Sequence, residues 1–156
     1  MKRYGLIFLL CLFANTVYAA DMTSSAAIRA EEPFSEPWFT GNKVHQYLGL
    51  GSLALGVLTA IVPKPEEDNY DGSLHQGLAY GATYLGGAAL ASGLVFHYKD
   101  LSFKHLLRNP DNLHALLATI ATAGFITAVS IAPDEAHATA GIIGVAGMAT
   151  AIKITW

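Results

Sequence analysis

The stretch NKVHQYLGLGSLALGVLTAIVP, residues 42–63, decides the fold. Beyond Lys43 it carries no Asp, Glu, Lys or Arg, and one histidine, His45, near its start. A run of about 20 apolar residues is what a helix needs to cross roughly 30 Å of hydrocarbon. An imidazole just inside such a span must sit at the wet interface or have a partner.

Three further segments repeat the pattern, so spans are expected near 43–62, 74–97, 112–132 and 134–155. Their interiors hold no formal charge except Lys153, one turn from the end, where it can snorkel to the headgroups. The links between them are PKPEEDNYDGS, YKDLSFKHLLRNPD and a bare PDE, so consecutive helices are expected to be antiparallel neighbours. Asn109 with Pro110, Ser73 or Asp71, and Pro133 with Asp134 suit helix starts. Gly77 and Gly81 form a small-xxx-small pair of the kind that lets helix backbones approach in lipid. The expected fold is all-α, an integral membrane up-down four-helix bundle over residues 40–156.

Composition agrees with this reading. Of 156 residues, 53% are apolar and 13% charged, whereas charged residues approach a quarter of a soluble domain. A net charge of -3 with nine Lys plus Arg excludes the dense basic face that nucleic-acid binding needs. Residues 1–19 read as a cleavable signal peptide: Lys2 and Arg3, then an apolar run, then VYA. Residues 20–39 are polar, acidic and proline-bearing, an exported irregular lead-in. The lone cysteine, Cys11, falls within the signal, which leaves the mature chain without a thiol for disulfides, iron–sulfur clusters or covalent haem attachment.

An exported amino terminus and four crossings place both termini outside, in a bacterial inner membrane. Trp38 and Trp156 then sit in one aromatic belt. The outer segments would hold Lys43, Lys99, Lys104 and Arg108 and the inner loops only Lys64, against the positive-inside tendency.

Four of the six histidines open the four spans: His45, His75, His114 and His137. With alternating directions, His45 and His114 share one level and His75 and His137 the other. In a square bundle each pair lies on a diagonal and points across the centre, the geometry for two bis-histidine haems. The residue four positions on is small each time: Gly49, Ala79, Ala118 and Gly141. Positions i and i+4 share a helix face, so a macrocycle over that turn would need it clear of bulk. Taken singly, a histidine at a span end is more commonly interfacial or hydrogen-bonded to a neighbour. His97 lies about 33 Å along the second helix from His75 and reads as interfacial or proton-handling. His105 reads as a solvated loop residue.

The motifs HQYLG at 45–49, His75, LHALLA at 113–118 and HATAG at 137–141 resemble the four-helix haem core of the cytochrome b561 superfamily, in the form found beside DOMON-type domains. The resemblance covers residues 40–156, without the flanking helices of many members and without a DOMON domain. It implies two haem b groups, His45 with His114 and His75 with His137 as axial ligands, and transmembrane electron transfer. Lys43 and Lys99 are candidates for the propionates. Expected partners are membrane lipid and a redox partner, either an exported electron-transfer protein or a quinone-type molecule. The competing expectation is a cofactor-free membrane subunit, or a small-solute or metal carrier, on the same bundle.

Overall fold

A computed structural model describes residues 39–66, 69–102 and 107–155 of the chain. All belong to one compact unit, residues 37–156. The expected signal peptide, Cys11, Trp38, Lys104, His105 and Trp156 lie outside the described residues.

Four helices account for most of these residues: α1 (Gly41–Ile61), α2 (Leu74–His97), α3 (Pro110–Ser130) and α4 (Ala136–Thr155). Each start has a local cause. Thr40 accepts the Lys43 N–H at 3.2 Å, a cap not anticipated from the sequence. Ser73 accepts the Gln76 N–H at 3.2 Å, so Ser73 and not Asp71 is the cap of α2. Asn109 accepts the Asp111 N–H at 2.8 Å, with Pro110 in the first turn, where its missing N–H costs nothing. The fourth helix begins two residues later than expected. Pro133 and Asp134 belong to the turn before it, and the Asp134 carbonyl takes the His137 N–H at 3.0 Å in a three-residue bond. Between α1 and α2 the chain reverses at Gly72, whose φ of 73° is one that glycine adopts without penalty.

All four helices are long and apolar enough to cross a membrane, as in an integral membrane protein. Their outward faces are apolar as well: Leu58, Tyr84, Val95, Ile126 and Ile142 are all exposed, as suits contact with lipid tails. The all-helical architecture is that of a four-helix bundle. Helix α1 packs on α2 and α3 on α4, with lighter contacts between α2 and α3 and between α1 and α4. That leaves α1 diagonal to α3 and α2 diagonal to α4.

The centre is built of small residues, with Ala82, Ala121 and Ala151 fully buried beside Leu53, Phe125 and Met148. Close approach is greatest between α3 and α4. A Cβ on Gly124 would stand 2.9 Å from the Ala140 carbonyl oxygen and 2.9 Å from the Gly144 nitrogen, so only glycine fits. The Gly77 and Gly81 pair divides. Gly81 receives Leu55, whose Cδ1 would be 2.7 Å from an added Cβ, while a Cβ on Gly77 would meet nothing within 4 Å. One glycine of the pair therefore serves helix approach.

Candidate functional site

At one end of the bundle the starts of α1 and α3 meet the last turns of α2 and α4. His45 Nδ1 lies 2.9 Å from the Ala89 carbonyl and 3.2 Å from Ser92 Oγ, both on α2. Ser92 Oγ itself donates to the same carbonyl at 2.9 Å. Gly93 makes room for the ring, since a Cβ there would be 2.9 Å from His45 Cε1. Across the diagonal, His114 Nδ1 lies 2.8 Å from the Ala151 carbonyl of α4. The two rings stand 5.8 Å apart at 71°.

The opposite end repeats the arrangement with other partners. His75 Nδ1 lies 3.2 Å from the Val62 carbonyl, at the exit of α1. His137 Nδ1 bonds the Asp134 carbonyl in the turn before its own helix. These rings stand 6.2 Å apart at 88°. The ring of Tyr70, buried in the connecting loop, is 6.3 Å from that of His75. Burial, then the neighbouring Tyr80 and Asp71, push the Tyr70 hydroxyl pKa up from its ordinary value.

The four bonds share one chemical consequence. A carbonyl can only accept, so each Nδ1 carries the hydrogen and each neutral ring keeps its lone pair on Nε2. Metal-ligating histidines are braced in this way, the far nitrogen donating to a carbonyl or carboxylate. The paired ring centres, 5.8 and 6.2 Å apart, are close enough for the imidazoles of each pair to share one metal ion, and His97 stands as near to His45, at 5.7 Å. Among the described residues no group of three or more His, Cys, Asp or Glu is placed to hold a metal ion, so a site here would rest on histidine pairs.

A cavity of about 260 Å³ opens beside His45 and His114. Gly49 and Ala118, two of the four small residues expected to clear a ligand, line it, and a Cβ on Gly49 would meet nothing within 4 Å. Ala79 and Gly141 do not line it, and a Cβ on Gly141 would touch Ala128 at 3.8 Å, ordinary contact. Lys43 and Lys99 are likewise not among the lining residues. The Lys99 ammonium sits 5.7 Å above the Tyr98 ring.

His97 stands at the same end, 5.7 Å from the His45 ring, with its Nδ1 3.1 Å from Asp100 Oδ2 and its side chain 38% exposed. Expected to be interfacial or proton-handling, it is the last residue of α2 and near enough to His45 to line the cavity. The bracing groups Ala89, Ser92, Gly93 and Ala151 were not anticipated. Nothing in their residue types marks them, since the carbonyls belong to the backbone and the spans abound in alanine and glycine.

Comparison of the chain with protein-family models, with curated proteins and with solved structures finds no match.

Proposed function

We propose that this chain is a transmembrane electron carrier in which His45 with His114 and His75 with His137 are the axial ligands of two b-type haems. One observation carries the reading. Two histidine pairs meet across the two diagonals, and all four rings are braced through Nδ1, which leaves each Nε2 with the lone pair that could coordinate. The resemblance of the four histidine motifs to the cytochrome b561 superfamily supports it further.

When bound between such histidines, haem would supply one-electron transfer and not small-molecule activation. The chain's own residues do the rest. Backbone carbonyls fix the tautomer and orientation of each ligand, Gly93 admits the His45 ring, and Gly49 and Ala118 leave space beside it. On this reading the helices run up and down through an inner membrane, after a cleaved signal peptide, with both termini outside. A redox partner, an exported protein or a quinone-type molecule, exchanges electrons at an exposed end.

The test is colour and stoichiometry. Full-length protein purified from haem-replete membranes is expected to show a sharp b-type band on dithionite reduction, with about two haems per chain. His45→Ala removes one equivalent and adding His114→Ala removes little more, since a shared site cannot be lost twice. His45→Ala with His75→Ala removes both. A folded, colourless protein sinks the proposal in favour of a cofactor-free membrane subunit or carrier. Loss of a haem in His97→Ala but not in His114→Ala overturns the pairing.

A further inference from the structure

Midway between the two histidine levels the bundle contains a buried pair of hydroxyls. Ser52 and Thr122 are 0% and 4% exposed, on the diagonal helices α1 and α3. Both face Gly86 of α2: a Cβ there would be 3.0 Å from Ser52 Oγ, 3.5 Å from Thr122 Oγ1 and 3.6 Å from Met148 Cε. Gly86 and Met148 also line the cavity that opens beside His45, whereas Ser52 and Thr122 do not. At about 1.5 Å per residue, Gly86 and Met148 lie roughly 16 Å along their helices from His75 and His137. The pair is thus at the middle of the membrane-spanning segments, where polar groups are costly.

The two hydroxyls are not equivalent. Ser52 donates to the Ala82 carbonyl at 2.7 Å, which leaves its oxygen free to accept. Thr122 Oγ1 is a buried polar atom with no partner. Other hydroxyls in these helices bond the carbonyl one turn back: Thr59 to Leu55, Thr83 to Ala79, Thr119 to Ala115 and Thr150 to Ala146. Thr122 does not do so to Ala118, and its hydroxyl is turned toward α2. A buried hydroxyl without a partner is a penalty in any protein and a larger one in lipid. A small polar molecule needs at least two polar partners to be held at such a place.

We infer that Ser52 and Thr122 hold one water molecule between them, Thr122 donating to it and Ser52 accepting from it. The site is independent of whether haem is bound. It makes the middle of the bundle, between the two histidine levels, a hydrated point.

A double-mutant cycle on the full chain in detergent tests this, with thermal midpoints read for Thr122→Val, Ser52→Ala and the double variant. The two hydroxyls do not bond one another but both face Gly86, so Thr122→Ser, which keeps the hydroxyl and loses the methyl, separates coupling through a shared water from coupling through packing. The expected result is a midpoint lowered by each substitution and lowered by less than their sum in the double variant. Thr122→Ser keeps the coupling. Should Thr122→Val not fold, Thr122→Ser against Thr122→Ala isolates the same hydroxyl. The inference is overturned if removing the Thr122 hydroxyl raises the midpoint or leaves it unchanged, or if the two effects add. The absorbance of the same samples reports haem separately, so a colourless protein would sink the electron-carrier reading without touching the cycle.

Discussion

Gly93→Ala probes the bracing of His45 with a single methyl group. The new Cβ would stand 2.9 Å from His45 Cε1 and 3.3 Å from Nδ1, so the ring must retreat by about 0.5 Å to reach 3.4 Å, where contact is ordinary. The bond from Nδ1 to the Ala89 carbonyl, 2.9 Å long, is strained by the same movement. Losing it costs about 0.5–1.5 kcal/mol. Alanine in a helix interior returns about 1 kcal/mol relative to glycine. Global stability should therefore change little.

On the proposed reading, haem affinity has no such compensation. Metal sites tolerate roughly 0.2 Å of ligand displacement, and loss of a ligand's bracing partner typically lowers affinity 10–100-fold. Gly93→Ala is thus expected to keep its thermal midpoint while affinity at one of two sites falls by that factor, measured by haem titration of the full-length protein in detergent. Gly87→Ala is the control, since a Cβ there meets nothing within 4 Å, and it should bind as the parent does. Equal affinity in Gly93→Ala and Gly87→Ala would refute the claim that the carbonyl brace positions His45.

Other substitutions separate helix approach, titration and surface contacts. Gly124→Val sets a side chain against the backbone of α4 at 2.9 Å, where nothing can rotate away. It should cost at least about 1–3 kcal/mol in thermal or denaturant unfolding. The raised Tyr70 pKa makes the neutral phenol the form the folded chain prefers, so its contribution is whole below the unfolded value of about 10 and is lost as pH rises through the folded value. Tyr70→Phe should flatten that alkaline decline in a pH series of unfolding midpoints. Lys64→Met removes the Nζ bond to the Pro133 carbonyl, 2.8 Å long but exposed, and should change stability by less than about 1 kcal/mol.

The spans were legible because crossing a membrane constrains length and composition over about 20 residues, more than any local feature can mask. The diagonal meeting of His45 with His114 and of His75 with His137 was legible for a related reason, as alternating helix direction fixes their levels. The rotation of each helix about its axis was not. Spans that are apolar on every side give no stripe to orient, so the sequence could not say that Gly81 receives Leu55 while Gly77 meets nothing, or that Gly49 faces a cavity and Gly141 faces Ala128. The same limit hid Ser52 and Thr122, which look like any small polar residues within an apolar run. The start of α4 was misplaced because Pro133 and Asp134 carry the residue types of a first turn, whereas the Asp134 carbonyl closes a tighter turn ahead of it.

The two histidine pairs are built alike and surrounded differently, and on the proposed reading that difference assigns them different tasks. The His45 pair adjoins a cavity whose lining includes Asn42, His97 and Asp111, polar groups at the ends of three helices. The His75 pair lies beneath buried Tyr70, in a loop pinned where Gln76 accepts the Gly72 N–H at 2.7 Å and donates to Asp71 at 3.2 Å. Lys64 ties the adjoining turn to Pro133. On that reading a partner would approach the His45 end, where the cavity opens. At the His75 end the ring of Tyr70 stands 6.3 Å from that of His75, and the loop's hydrogen bonds to Gln76 hold it there.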